Sequence, residues 1–216
     1  MLVRELMTHN PVTITTETTV PEALSIMHKG NFRTLPVLDV HGELAGIVSD
    51  KDLLYASPSP ATSLSIWEIK DLLSKVMVEE VLQRKVQTAA EDMPVEEAAR
   101  IMADSKIGSL LVLRNKAIVG IITKTDLFKA LLAMLGGRRS GIRVTAYTPG
   151  VKGTIAKITN AIAAIGGDIV GLGYAEVTDA SEMRWEMTIK VQDVSQDRLI
   201  EAIKPLVLKI LDVRQM

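Results

Sequence analysis

The chain has 216 residues, with 25 basic and 26 acidic side chains, a formal net charge of −1 and no cysteine. This balance of charge argues against a broad nucleic-acid footprint, and the lack of cysteine excludes disulfides and thiol chemistry. The sequence has neither a basic-then-apolar start nor an apolar run of about 18 residues, so we expect a cytoplasmic protein without export or a membrane span.

The first 135 residues contain two copies of one pattern, with most matched positions 75 residues apart. Each copy predicts a short helix (residues 3–7 and 78–82), an extended segment (12–15 and 86–89), a longer helix and two β-rich runs (35–38 and 44–48; 110–113 and 118–122). The longer helices carry apolar residues at i, i+3, i+4 and i+7, which are Val20, Ala23, Leu24 and Met27, then Val95, Ala98, Ala99 and Met102. An internal repeat of this kind usually buries its core against its neighbour.

Each copy closes with a related heptapeptide, GIVSDKD at residues 46–52 and GIITKTD at residues 120–126. A strand is expected to end there and a helix to begin near Ser49 or Thr123, whose hydroxyls suit an N-cap. A helix N-terminus attracts anions, and Asp52 and Asp126 in the first turn could accept hydrogen bonds from vicinal hydroxyls. Alternatively, the hydroxyl only caps the helix and the aspartate only favours its dipole.

This repeated pattern resembles the CBS domain, and two copies in tandem resemble a Bateman module. The resemblance covers roughly residues 1–135 and extends to the Gly-hydrophobic-x-Ser/Thr-x-x-Asp ending of both copies. It implies an α/β regulatory module that binds an adenosine-containing ligand in the cleft between the repeats. That ligand would be AMP, ADP, ATP or S-adenosylmethionine, bound as a regulator and not as a required cofactor.

The resemblance also implies roles for individual residues. It assigns ribose binding to Asp52 and Asp126, and a phosphate- or ribose-facing hydroxyl to Ser49, Thr123 and Thr125. The segments expected to line the adenine pockets are Thr13, Ile14 and Thr15, Phe32, Arg33 and Thr34, Thr88, Ala89 and Ala90, and Ile107, Gly108 and Ser109. Arg33 falls where the family often places a phosphate-facing arginine, and Gly108 holds that position in the second copy. Lys51 replaces Thr125, so we expect two unequal sites.

The last seventy-five residues differ from the repeats. Residues 135–141 (LGGRRSG) form a polar, glycine-rich break, and the pattern after it predicts the order βαββαβ. The first helix would bury Ile155, Ile158, Ile162 and Ile165 and end at the glycine pair 166–167. The third strand alternates from Trp185 to Val191, as in a sheet with one covered face.

This βαββαβ order, with residues 153–159 leading into Gly166 and Asp168, resembles an ACT domain, which has a ferredoxin-like α+β fold. ACT domains bind amino acids or similar small molecules, usually at a subunit interface and through the glycine at the first strand-to-helix turn. Here the candidate residues are Lys152, Gly153 and Thr154. Alternatively, Gly153 only permits a tight turn and the domain only mediates assembly.

Two CBS units followed by an ACT domain are similar to the bacterial acetoin-utilisation protein family. The predicted divisions are the first repeat (1–57), a connector helix (58–75) with a Ser65–Glu68 capping box, the second repeat (76–135), a linker (136–141) and the ACT domain (142–216). We expect a non-catalytic homodimer that senses a small molecule, with no metal and no nucleic-acid or membrane partner. The alternative is an oligomerisation scaffold with degenerate pockets; an enzyme would need an acid–base pair or an activated nucleophile.

Overall fold

The computed structural model describes residues 1–56, 74–179 and 182–216. The chain forms two compact units, Met1–Leu127 and Phe128–Met216, of which the first contains the first repeat and the second repeat up to Leu127. The predicted linker, residues 136–141, therefore lies within the second unit. Apart from Ser74 and Lys75, the predicted connector, with its Ser65–Glu68 capping box, lies outside the described residues.

The first unit contains two small sheets. The three-stranded sheet has the order β2-β3-β4 and the four-stranded sheet has the order β1-β7-β6-β5. The elements are α1 (Val3–Leu6), β1 (Thr8–His9), β2 (Ile14–Thr15), α2 (Val20–Gly30), β3 (Thr34–Leu38), β4 (Leu44–Ser49), α3 (Asp50–Tyr55), a 3-10 turn (Val78–Glu80), β5 (Thr88–Ala90), α4 (Val95–Asp104), β6 (Ser109–Arg114), β7 (Ala117–Thr123) and α5 (Lys124–Met134), which continues into the second unit.

The longer helices form as their apolar spacing predicts. Their inward faces are buried at Val20, Ala23 and Met27 in α2 and at Val95, Ala98 and Met102 in α4. A capping box begins α2, because Glu22 accepts a hydrogen bond from the Thr19 backbone N–H (2.9 Å) and Glu22 N–H donates to the Thr19 hydroxyl. The bond from the Thr19 backbone lowers the pKa of Glu22. In the second hairpin, Asn115 and Lys116 have φ values of 49° and 69°, which suits a two-residue type I′ turn.

The short segment at the start of each repeat packs on the other repeat. Val3 and Met7 are buried in the core of the second copy, and β1 extends the second sheet beside β7. Val78 is buried in the core of the first copy, and Val78 N–H donates to Thr18 O at 2.8 Å. The sequence pattern predicts each short helix as the start of its own copy, so the structure differs here. The two copies thus exchange their leading segments, which joins them into one unit.

The second unit has the predicted βαββαβ order. Its sheet is antiparallel throughout, with the order β11-β8-β10-β9, and both helices pack against one face. The elements are β8 (Ile142–Thr148), α6 (Thr154–Ala164), β9 (Asp168–Asp179), β10 (Glu182–Gln192), α7 (Gln196–Ile203), a 3-10 turn (Lys204–Leu206) and β11 (Lys209–Gln215). The buried face of β10 is Met187, Ile189 and Val191, as its alternation predicts.

The predicted linker packs against the sheet instead of standing free. Gly136 has φ of +60°, and a Cβ placed on it would lie 2.6 Å from Val170 O. A Cβ at Gly171 would lie 2.3 Å from the carbonyl carbon of Leu135. Lys190, which alternation places on the solvent side of β10, is only 3% exposed, and its Nζ donates to Gly136 O at 3.1 Å. Glycine here permits close approach of two backbones and does not mark a flexible boundary.

Candidate functional site

The strand directions bring two of the three predicted site segments to one end of each sheet. In the first copy β4 runs antiparallel to β3, with Thr34 opposite Ser49, so the turn before β3 and the end of β4 meet there. The strand β2 runs parallel to β3, and its first residue Ile14 lies opposite Val37, three residues beyond Thr34. The second copy has the same arrangement, with Ser109 opposite Thr123 and Thr88 opposite Leu111.

A matched backbone hydrogen bond ties the turn before the central strand to the closing helix. In the first copy Asp50 N–H donates to Arg33 O at 3.1 Å, and in the second Lys124 N–H donates to Gly108 O at 3.0 Å. Arg33 therefore lies at the helix start that carries Asp52. Gly108 lies in the same way at the helix start that carries Asp126.

The hydroxyl and the aspartate of each heptapeptide bind each other. Ser49 donates to Asp52 Oδ2 through its hydroxyl (2.6 Å) and its backbone N–H (2.7 Å). Thr123 donates to Asp126 Oδ2 in the same way, at 2.7 Å and 3.0 Å. Each aspartate N–H returns a longer bond to that hydroxyl. This geometry is a capping box in both copies, and it fixes one carboxylate oxygen at each helix start.

A side chain from outside the first repeat reaches the other carboxylate oxygen of Asp52. Gln83, in the leading segment of the second repeat, donates from Nε2 to Asp52 Oδ1 at 2.9 Å. Its backbone also pairs with Ile47, with N–H···O distances of 2.8 and 3.0 Å. In the second sheet Thr8 occupies the matched place, opposite Ile121. Gln83 lies 31 residues from Asp52 and is not part of the heptapeptide motif. The sequence pattern could reveal this contact only if it also showed that the leading segment of the second repeat packs on the first repeat.

Two further charged residues stand at the helix starts. Asp50, the first residue of α3, accepts a hydrogen bond from Lys51 N–H at 2.9 Å. Lys124 holds the matched position in α5. The cations Arg33 and Lys51 of the first copy are therefore accompanied by an additional carboxylate, and the second copy has a cation of its own. The difference in charge between the two sites is smaller than Arg33 and Lys51 alone indicate.

The remaining predicted lining residues vary in exposure. Those open to solvent are Thr13, Thr15, Phe32, Arg33, Lys51, Ala90, Gly108 and Thr125. Those partly buried are Thr34, Thr88, Ile107 and Ser109, whereas Ile14 and Ala89 belong to the apolar cores. The two core residues can offer a ligand only their backbone groups. A Cβ on Gly108 would meet no described atom within 4 Å, so packing does not require glycine there.

In the turn of the second unit that the sequence predicts to bind a small molecule, local structure accounts for Gly153 and Thr154. Gly153 has φ of +83°, a conformation that favours glycine. The hydroxyl of the buried Thr154 donates to Val151 O at 2.8 Å. Lys152 is exposed. The turn therefore has a structural reason for Gly153 and Thr154, and a ligand role for these three residues stays a prediction.

Two cavities lie elsewhere in the second unit. One of about 630 Å³ is lined by Lys129, Leu132, Ala133, Gly136, Arg138, Arg139, Ile169 and Val170. One of about 260 Å³ has Arg143, Gly171, Tyr174, Thr188 and Lys190 in its lining. Within the described ranges, no three metal-ligating side chains group closely enough to hold an ion. Nor is any described helix long and apolar enough to cross a membrane.

Comparison with known families identifies the repeats. The CBS domain matches residues 3–59 and 78–133, which is just over half of the chain. The chain therefore belongs to the CBS-domain family. The match ends at residue 133, so the ACT resemblance of residues 142–216 stays a prediction.

Several relatives share the repeat region. A CBS domain-containing protein of Dictyostelium discoideum is 32% identical over 136 residues, which cover 62% of this chain and 94% of that protein. L-aspartate semialdehyde sulfurtransferase of Methanocaldococcus jannaschii is 30% identical over 64% of this chain, but the match spans 24% of the enzyme. Inosine-5′-monophosphate dehydrogenase of Aquifex aeolicus is 33% identical over 56% of this chain and 22% of the enzyme. The similarity to both enzymes is thus confined to a minor part of each.

Solved structures resemble the same region. The CBS domain pair of protein MJ0100, in complex with 5′-methylthioadenosine and S-adenosyl-L-methionine, is 29% identical, with a TM-score of 0.51 over 64% of this chain and 98% of that one. A protein of Vibrio cholerae assigned to acetoin utilization is 30% identical, with a TM-score of 0.51 over 61% of this chain and 90% of that one.

Proposed function

We propose that this protein is a non-catalytic sensor that binds an adenosine-containing ligand between its two CBS repeats. The observation that carries the proposal is the matched pair of helix starts. Each presents an aspartate whose Oδ2 is fixed by a serine or threonine, beside the turn that begins the central strand. A fixed carboxylate suits the vicinal hydroxyls of a ribose, and the helix N-terminus beside it suits an anion.

The chemistry of the ligand follows from the same elements. The similar CBS pair of MJ0100 is known in complex with 5′-methylthioadenosine and S-adenosyl-L-methionine, both of which contain adenosine. The helix starts here add Arg33 and Lys51 in the first copy and Lys124 in the second, which suits AMP, ADP or ATP as well. The two sites bind with different strengths, because Thr125 adds a hydroxyl in the second copy where the first has Lys51.

The second unit adds a ferredoxin-like domain of the ACT type. Its role is to carry the signal from the repeats, through dimer contacts or through a small molecule at Lys152, Gly153 and Thr154. The partner that receives the signal would be a second copy of the chain or a regulated enzyme.

A scaffold without ligand is the second candidate, and one observation favours it. The capping hydroxyls and the first carboxylate are already engaged within the chain, and Asp52 accepts hydrogen bonds at both oxygens. Exposed apolar side chains on α5, Phe128 (63%) and Leu131 (50%), provide a surface that a second copy would cover. We expect a homodimer in either case.

Calorimetry separates the two candidates, and light scattering on the same preparation tests the dimer that both of them predict. The sensor requires that at least one of S-adenosylmethionine, 5′-methylthioadenosine, AMP, ADP or ATP binds the wild-type chain and raises its melting temperature, because a ligand that binds only the folded state stabilises it. The scaffold requires a stable dimer that binds none of them. Phe128→Glu with Leu131→Glu should weaken the dimer, and Lys152→Glu on the exposed turn is a control for added charge.

A further inference from the structure

Gln83 reaches the first ribose-binding aspartate from outside the first repeat. Its Nε2 donates to Asp52 Oδ1 at 2.9 Å, and its backbone is held to Ile47 by two hydrogen bonds. The neighbouring Leu82 packs against the core of the first copy. A Cβ on Gly46 would lie 2.7 Å from Gln83 O, so the segment runs unusually close to β4. The backbone thus fixes the place from which the Gln83 amide extends.

The Asp52 carboxylate has few acceptor positions left. A carboxylate offers about four lone-pair sites, two on each oxygen. The Ser49 hydroxyl and N–H both donate to Oδ2, and Gln83 takes one position on Oδ1. A ribose presents two vicinal hydroxyls that need acceptors. For both to bind, the carboxylate must release one of its present donors, and the exposed Gln83 amide is held by the fewest bonds.

The residue that matches Gln83 in the second sheet is Thr8. Thr8 stands opposite Ile121 as Gln83 stands opposite Ile47. A threonine side chain ends two heavy atoms short of a glutamine amide and carries no NH₂ group. Asp126 is therefore not met from this position by an amide, although the heptapeptides around both aspartates have the same internal hydrogen bonds.

We propose that Gln83 is a specificity-determining residue that competes with the ribose for Asp52 and so lowers the affinity of the first site for its ligand. This inference rests on the proposed function and adds a regulatory consequence to it. Gln83 belongs to the segment that leads into β5, which lines the second site. Ligand entry at Asp52 breaks a contact between the repeats, and such a coupling acts equally in both directions.

Single-site proteins isolate the effect. In an Asp126→Ala background only the first site remains, and 5′-methylthioadenosine serves as a probe without phosphate. Gln83→Thr, which installs the residue of the second copy, should tighten binding by about threefold to tenfold, the scale of one hydrogen bond to a charged group at a solvent-exposed position. Gln83→Met, which keeps the length and removes the donor, should do the same. Arg84→Ala, which loses a pair with Glu79, should change nothing.

The reciprocal change tests the same idea in the other copy. In an Asp52→Ala background, Thr8→Gln should weaken binding of 5′-methylthioadenosine at the second site by a similar factor. If the parent single-site proteins bind the probe and both Gln83 variants bind it equally or less well, the competition is refuted and the proposed function stands. If neither parent binds 5′-methylthioadenosine, S-adenosylmethionine, AMP, ADP or ATP, the proposed function and the inference are both refuted.

Discussion

Each heptapeptide places one carboxylate in a defined orientation before any ligand arrives. The Ser49 or Thr123 hydroxyl and N–H hold one oxygen, so the carboxylate does not have to be ordered on binding. Ordering a side chain costs about 0.5–1.5 kcal/mol, and a preorganised group avoids much of this cost. The same bonds cap the helix, which means that the structural and the ligand-binding interpretations of the motif describe one arrangement.

Removing Asp126 tests the ligand side of this arrangement. Asp126→Ala should leave ribose hydroxyls poorly paired and cost about 1–3 kcal/mol of affinity for an adenosine ligand. The helix start should also lose about 0.5–2 kcal/mol of stability with its cap. Titration calorimetry measures the first effect and chemical denaturation the second. Asp104→Ala, at the exposed end of α4, is the control. Unchanged affinity for every adenosine compound would remove Asp126 from the site.

We predict that phosphate selectivity at the first site depends on Arg33. Arg33→Ala should weaken ADP or ATP more than adenosine at the first site, because a charge-assisted hydrogen bond is worth about 1.5–3 kcal/mol. The opposite substitution can be made in the second copy, because a Cβ at Gly108 would meet no described atom within 4 Å. Gly108→Arg should therefore raise the ATP-to-adenosine preference there. Calorimetry with the three ligands measures both; equal losses for all three would show that Arg33 does not face the phosphates.

Most of the candidate site could be predicted from sequence because its residues belong to short motifs. Ser49, Asp52, Thr123 and Asp126 are found where their spacing predicts, since a strand-to-helix turn is a local structure. The role of Gln83 could not be predicted, because it lies 31 residues from Asp52. The two meet only because the leading segment of the second repeat packs on the first repeat. Asp50 and Lys124 are part of the motif, and their charges change the expected difference between the sites.

At the scale of elements, the exchange of leading segments is the main departure from the sequence pattern. A spacing of 75 establishes that the copies match, but the same apolar residues could pack on either copy. Val3 and Val78 have equivalent places in the pattern, and both are fully buried. Which repeat each valine packs against depends on long-range backbone pairing, of β1 with β7 for Val3 and of Gln83 with Ile47 for Val78.

Core substitutions test the exchange. Val3→Ala and Val78→Ala should each cost about 1–3 kcal/mol, since each leaves a small cavity in a packed core. Hydrogen exchange should show that Val3→Ala loosens α4 and β6 of the second copy, whereas Val78→Ala loosens α2 and β3 of the first. Met216→Ala at the exposed C-terminus is the control. Loosening confined to the copy that follows each valine in sequence would contradict the exchange.

The predicted linker packs against the sheet of the second unit, which its composition alone does not predict. Glycine and charged residues are typical of both flexible loops and close backbone contacts. Here Lys190 on the sheet donates a hydrogen bond to Gly136 O, and the backbone of Leu135 packs against Gly171. Gly171→Ala should destabilise the second unit by about 1–3 kcal/mol, because its Cβ would meet backbone. Gly173→Ala should cost less, since its nearest atom is the Leu135 Cδ2 at 3.2 Å. Chemical denaturation that ranks them equally would contradict the packing.

At the scale of the whole molecule, the order of elements follows closely from the sequence. Both repeats and the βαββαβ unit have their predicted elements, because amphipathic helices and alternating strands are local periodic signals. The relatives include enzymes, but the similarity spans about a quarter of each, in the region of the CBS repeats. The residues gathered at the two helix starts suit holding a ribose and a phosphate, with no activated nucleophile among the described ones.

The central claim is that the matched aspartates bind an adenosine ligand without transforming it. Wild-type protein and the Asp52→Ala/Asp126→Ala double variant are titrated by calorimetry with S-adenosylmethionine, 5′-methylthioadenosine, AMP, ADP and ATP, and each mixture is then separated by chromatography. We predict that the wild type binds at least one of these compounds, that the double variant loses this binding while it stays folded, and that the compound is recovered intact. Equal binding by the double variant, no binding by the wild type, or turnover that disappears with the aspartates would contradict the account.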